Sequence, residues 1–275
     1  MINLRQEQVM RVALLTNSTA TVSYPVYKRL CEAEGIELVH TFFYDTVAES
    51  RASPLKTIAK FGVRGTISKV VDLLLSRVSG LIGGGSEAST AYEHARAEGL
   101  PHSVITNIND PVHQKIIGEL DALVVSNCKN ILKKPLLSIE GVKFLNIHSS
   151  LLPAYRGPTP IFWAMYHGES HAGISIHEMT PHIDRGGILA QESVPLDYSK
   201  SVDDIAMDLY TLSADMIVKV LLEDSSYVPT RNDQPGNYFT FPTAAERREF
   251  KRRMARRSAG KASAITSPEN AAIGG

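Results

Sequence analysis

Asn146-Ile147-His148-Ser149-Ser150-Leu151-Leu152-Pro153-Ala154-Tyr155-Arg156-Gly157 is the stretch on which the reading of this chain turns. It opens as a strand: Val142, Phe144 and Ile147 are apolar and β-branched or aromatic, and Pro153 and Gly157 then break regular structure. Asn146 and His148 are two residues apart, so on a strand their side chains leave the same face. Two polar groups side by side at the end of a buried strand are costly unless something uses them. A second strand is expected at Gly173-Ile174-Ser175-Ile176-His177. It runs into Pro181-His182-Ile183-Asp184-Arg185-Gly186-Gly187, a glycine-rich turn presenting one carboxylate.

Outward from this stretch the chain alternates between strand and helix. Strands are expected at Val12–Leu15, Ile36–Tyr44, Leu81–Ile82, Val104–Ile105, Ala122–Val125 and Val142–His148. Helices are expected at Val22–Glu34, Ser68–Val78, Thr90–Glu98, Pro111–Leu120 and Thr159–Tyr166. Such alternation argues for an α/β fold: a Rossmann-like, mostly parallel sheet with helices on both faces. After Pro195 the pattern changes. Ser201–Leu222 is one long helical pattern with Val202, Ile205, Leu209, Leu212, Met216 and Val220 on a stripe, and Asn237–Phe241 reads as a short strand. Thr243–Arg257 is strongly basic, and a solvated helix face is preferred there over an RNA contact. The expected organisation is a lead-in at 1–10, a catalytic domain at 11–200, a small helical and β appendage at 201–257 and a disordered tail at 258–275.

The 275 residues, 43% of them hydrophobic, suffice for one sizeable α/β core. The 29 basic residues balance the 29 acidic ones, so overall charge asks for neither nucleic acid nor an anionic membrane. Two cysteines, Cys31 and Cys128, make no disulfide framework, and a cytoplasmic home is expected. No apolar run is long enough to span a bilayer. His167, His171, His177 and His182 crowd the motif, but no pair has a convincing ligand spacing with Cys or carboxylate. No metal is expected, and these histidines read as exposed or hydrogen-bonded. Gly83-Gly84-Gly85-Ser86-Glu87-Ala88 fits a dinucleotide fingerprint weakly. It follows an interior strand and carries Glu87, so a tight turn is preferred.

The motif, followed by Trp163-Ala164, Gly168-Glu169 and Ile183-Asp184-Arg185-Gly186-Gly187 in that order, resembles the folate-dependent formyltransferases. That family includes glycinamide ribonucleotide, methionyl-tRNA and sugar N-formyltransferases and formyltetrahydrofolate hydrolase. The likeness runs from about Asp121 to Pro195. It implies N10-formyltetrahydrofolate as formyl donor and a catalytic trio of Asn146, His148 and Asp184. Formyl transfer to an amine passes through a tetrahedral oxyanion and needs an oxyanion donor, a group titrating near neutrality and an acid/base to orient it. Asn146, His148 and Asp184 supply one of each.

By the same resemblance the donor would lie against Asn127, Cys128, Lys129, Ile131, Leu132, His182 and Ile183, with Asn127-Cys128-Lys129 departing from the family pattern. The acceptor side falls on Ser149, Tyr155, Arg156 and Gly157, where Arg156 either binds an anionic acceptor or braces the loop. A right-handed crossover is expected to return the Asp184 turn beside the motif strand. Thr16-Asn17-Ser18-Thr19 lacks the Gly-Ser loop of phosphate-binding relatives, which argues against glycinamide ribonucleotide as acceptor. The residues after Asp197 read as a helix, a hairpin-like piece and a tail, not as the RNA-binding barrel expected of a methionyl-tRNA enzyme. The expected acceptor is therefore a small-molecule amine, with a nucleotide-linked amino sugar put first and tRNA second. A homodimer is the assembly considered. A hydrolase and a non-catalytic folate-binding protein are the other readings.

Overall fold

The computed structural model describes residues 9–45, 90–223 and 229–265. Residues 1–8 of the expected lead-in at 1–10, helix Ser68–Val78, strand Leu81–Ile82, the glycine turn at 83–88 and residues 266–275 of the expected tail lie outside the described residues. Among those described, seven strands form one sheet in the order β3-β2-β1-β4-β5-β6-β7. They are β1 (Met10–Asn17), β2 (Ile36–Tyr44), β3 (His102–Ile105), β4 (Ala122–Ser126), β5 (Lys143–His148), β6 (His171–Glu178) and β7 (Ile188–Pro195). The first five pair in parallel, and β6 and β7 are antiparallel. Strand order reverses between β1 and β4, which opens a crevice beyond their carboxyl ends, the usual ligand position in such sheets.

Both faces are covered. On one, Val12 and Leu14 pack with Val26, Tyr27 and Leu30 of helix α1 (Tyr24–Glu32) and with Ala91 and Ala95 of α2 (Ala91–Ala97). On the other, Ala13 and Leu15 pack with Ile117 of α3 (Gln114–Ile117) and Leu136 of α4 (Lys134–Leu137). The motif strand leads through a loop into α5 (Pro160–His167).

The long helix α6 (Val202–Leu222) is capped by Ser201, whose side chain accepts from Asp204 N. Its Leu209 and Ile217 are fully buried in the same core as Val26 and Leu30, because the stripe expected from sequence is wide enough to close the sheet face. The last helix, α7 (Ala244–Ile265), continues past Ser258, where a tail was expected. Its Phe250 packs on Phe162 with ring centroids 4.7 Å apart, and Arg253 lies 4.3 Å over the Tyr166 ring. Among the described residues no helix is long and apolar enough to cross a membrane.

Two expectations are corrected. No parallel crossover joins β5 to β6; the two pair antiparallel, and the Asp184 turn is the loop between β6 and β7. The strand expected at Asn237–Phe241 is reduced to a single bridge between Arg156 and Tyr238. Between α6 and α7 the chain instead runs as an irregular strap, described from residue 229, across the motif loop.

The motif loop is sewn to the antiparallel strands. Ser175 Oγ donates to Ser150 O (2.5 Å) and accepts from Leu152 N (3.2 Å) and Gln191 Nε2 (2.8 Å). Gly173 is needed at the point of closest approach: a Cβ there would lie 2.3 Å from Leu151 Cγ and 2.9 Å from Glu192 O. Gly173→Ala should therefore destabilise the protein by about 1–3 kcal/mol through overpacking, read as a lower urea midpoint at unchanged slope.

Candidate active site

Asn146 and His148 leave the same face of β5, as the two-residue spacing requires. Antiparallel register then sets His177 of β6 directly opposite Asn146. The Asn146 amide Nδ2 donates to His177 Nε2 at 3.0 Å, and His177 Nδ1 donates to the Glu178 carbonyl at 2.7 Å. The proton of the neutral ring therefore sits on Nδ1, and Nε2 is the acceptor. Among the described residues only one of the two amide hydrogens of Asn146 is used, which leaves the other to point elsewhere.

His148 is 7% exposed. Its Nε2 donates to the Tyr155 carbonyl at 3.0 Å, so Nδ1 is the nitrogen that faces Asp184, 3.8 Å from Oδ2. Asp184 Oδ1 lies 3.7 Å from His177 Nε2. The loop between β6 and β7 thus doubles back to set one carboxylate between two imidazoles. These separations exceed hydrogen-bond length, as catalytic contacts often do before substrate binds. The carboxylate is aimed by Gly157, whose backbone N–H donates to Asp184 Oδ2 at 2.8 Å. Gly157 has φ +94°, and a Cβ there would lie 2.2 Å from Phe239 O, so no other residue fits.

The structure brings Asn146, His148 and Asp184 together and adds His177, which the sequence left among the exposed or hydrogen-bonded histidines. His177 is 2% exposed. Burial, chiefly, pushes its pKa down to about 4, helped by the neighbouring His148 and opposed by Asp184. A signal for it existed in sequence: it stands on the strand facing the motif.

Arg156 does not face the crevice. It is 1% exposed, and its guanidinium donates to Asp184 O (3.0 Å), to Asn232 O (2.6 Å) and Oδ1 (3.1 Å) and to Gln234 O (3.3 Å). The bracing alternative is the one observed. Tyr155 stacks on Phe239 with ring centroids 5.3 Å apart, and its hydroxyl donates to Glu169 Oε1 at 2.6 Å. Burial and that contact raise its pKa. Ser149 meets the buried Tyr210 hydroxyl of α6. Ser149 and Tyr155 also line a cavity of about 160 Å³ beside Glu169 and Gly173. That cavity does not include the trio.

The residues expected on the donor side are split. Ile131 and Ile183 are large apolar side chains left 63% and 44% exposed, and His182 is exposed. Leu132 is instead buried in the core with Leu136 and Ile108, because its side chain turns under the loop. Cys128 is half-buried against that core, and Lys129 lies over the Phe241 ring. Asn127 has φ +48°, and its carbonyl accepts from Asn17 Nδ2 at 2.5 Å across the β1–β4 crevice. Beside it, Thr16 Oγ1 and Asn17 Oδ1 are buried with no hydrogen-bond partner among the described residues.

Fold and site together define a doubly wound α/β protein with a polar catalytic-type cluster at the motif strand. Comparison with known proteins then supplies the family. The formyl transferase family model matches residues 85–221, a span that includes Asn146, His148, His177 and Asp184. The matched region, just under half of the chain, is that of a formyl transferase. It is 34% identical over 144 residues to the methionyl-tRNA formyltransferase of Roseiflexus sp., covering 50% of this chain and 43% of that protein. It is 38% identical over 132 residues to the one from Chloroflexus aurantiacus, covering 46% and 42%. The chain thus matches less than half the length of these curated relatives. The fold is shared with glycinamide ribonucleotide transformylase 1 from Symbiobacterium toebii, at TM-score 0.57 and 17% identity over 82% of this chain and 93% of that one.

The buried His177 predicts an acid limit. A histidine whose folded pKa lies below its unfolded value of 6.5 takes up its proton more readily when unfolded. Its contribution is complete above about pH 6.5 and is lost as pH falls toward about 4. Thermal unfolding across this window should show falling stability, and His177→Gln should flatten that slope; an equal slope in the variant would assign the acid limit to another group.

Proposed function

We propose that this protein transfers a formyl group from N10-formyltetrahydrofolate to a primary amine. The observation that carries the reading is the convergence of an amide, an imidazole and a carboxylate, drawn from β5 and from the β6–β7 loop, on one site. The amine nitrogen attacks the formyl carbon, and the carbonyl π pair becomes an oxyanion. The free Asn146 amide hydrogen and the His148 imidazole stabilise that charge. Asp184 orients His148 and accepts the proton lost by the attacking amine. As the tetrahedral centre collapses, the bond to N10 breaks and that nitrogen takes the proton that Asp184 received from the amine. A neutral His177 keeps Asn146 in the orientation the oxyanion needs, since protonation of Nε2 would remove its acceptor.

The donor side suits a flat heterocycle. Exposed Ile131 and Ile183 offer apolar surface, and the loop after β4 offers backbone groups. On the acceptor side a small-molecule amine, with a nucleotide-linked amino sugar first, is our reading. The identity to methionyl-tRNA formyltransferases favours charged initiator tRNA as the second.

Asn146→Ala should lower transfer by about 10²–10³ and Asp184→Asn by about 10²–10⁴, with circular dichroism unchanged. Near-wild-type turnover in either variant would refute the site. An acceptor screen with radiolabelled formyl donor separates the substrates: label in an amino sugar nucleotide supports the first, label in aminoacyl-tRNA the second. Formate release without any amine would make the enzyme a hydrolase.

A further inference from the structure

We infer that Asn232 is the positioning residue that sets Asp184, and that the strap between α6 and α7 is therefore part of the active-site machinery. This rests on the formyl-transfer reading. Asn232 lies beyond the residues matched by the family model, which end at 221, and no functional motif marks it in the sequence.

Asn232 is a polar side chain only 2% exposed, and each of its polar atoms is engaged. Its Nδ2 donates to the carbonyls of Asp184 and Gly186, both at 2.9 Å. Its Oδ1 and its own carbonyl accept from Arg156 Nη2. Arg156 Nε donates to the same Asp184 carbonyl at 3.0 Å. Two donors from separate segments therefore converge on one backbone oxygen, that of a non-glycine residue held at φ +52°. Left-handed backbone costs a side-chain-bearing residue free energy and persists only where its surroundings over-determine it. Asn232 supplies that determination. It clamps the carbonyls on both sides of Arg185, and the carboxylate between His148 and His177 follows from that backbone.

The strap is itself tied to the motif. Arg156 N donates to Asn237 O and Phe239 N donates to Arg156 O, both at 2.9 Å, and Trp163 Nε1 donates to Thr240 O at 2.9 Å. Asn232 thus hangs from the loop that carries the Tyr155 carbonyl, the partner of His148. One segment sets both the imidazole and the carboxylate.

The test uses the full chain with ¹⁵N-labelled histidine and two variants. Asn232→Ala removes the clamp. Asn232→Asp keeps volume and the acceptor for Arg156 but loses both donations to the Asp184 loop, and it keeps the test open should the alanine variant fail to fold. Ring resonances of His148 and His177, assigned with His148→Gln and His177→Gln, should move as they do in Asp184→Ala, while those of distant His40 and His113 stay. In the transfer assay kcat should fall about 10²-fold with KM little changed, the cost of misplacing a catalytic group by about 1 Å. The double variant with Asp184→Asn should then lose little more than Asp184→Asn alone. Unmoved His148 and His177 resonances in a folded variant, or losses that multiply in the double variant, would overturn the inference. If the wild-type chain transfers no formyl group, the functional reading fails while the histidine spectra still decide what Asn232 positions.

Discussion

A positive charge is buried beside this site, and among the described residues no carboxylate forms an ion pair with it. Arg156 spends its hydrogen bonds on neutral oxygens, three backbone carbonyls and one amide, and burial lowers its pKa with Arg185 adding to the effect. Removing a guanidinium from water is expensive unless its donors are met. Here Nε and Nη2 are met by acceptors from two segments remote in sequence, and that requirement ties both to the motif loop that carries Arg156. The motif loop, the loop carrying Asp184 and the strap around Asn232 have no regular structure of their own. They hold one geometry because a cation on the first takes its oxygens from the other two.

That constraint explains where the backbone is bent. Among the described residues four non-glycine positions have positive φ, namely Asn127, Tyr155, Thr159 and Asp184, and all lie on the loops around the crevice. Asn and Asp tolerate that region better than most residues, whereas Tyr and Thr do not. Tyr155 is held by its stack on Phe239 and its bond to Glu169, so its carbonyl turns to His148. Strained positions cluster where atoms must be aimed, which is the usual relation between strain and active sites.

The sheet contributes the complementary half. Register, not a loop, sets His177 against Asn146, and burial keeps the imidazole neutral so that it can accept the amide hydrogen. The electrostatics of one strand thus orient a side chain on the next. Helix α6 closes the same core and brings Tyr210 to Ser149, so a segment that reads as peripheral is a wall of the site.

Much of this was legible beforehand. Alternation of apolar strands and striped helices announced the sheet, and the capping residue Ser201 and the stripe along α6 marked that helix. Asn146, His148 and Asp184 stood out because each is a distinct chemical type in a dense motif. The strand β7 was passed over because ILAQESVP lies at the sheet edge, where polar residues such as Gln191 and Glu192 interrupt the apolar pattern. His177 was hidden because its partner is 31 residues away across a strand pair, and Asn232 because its partners are 46 to 76 residues away.

Local periodicity and side-chain chemistry, which are properties of neighbouring residues, determined the fold class, the family resemblance and the three side chains of the candidate site from the sequence alone. Which way β6 runs, whether Arg156 meets a ligand or a loop, and what holds Asp184 in place were decided only by the tertiary structure. Each of those depends on hydrogen bonds between segments far apart along the chain, and a buried donor takes the acceptor that the fold brings to it.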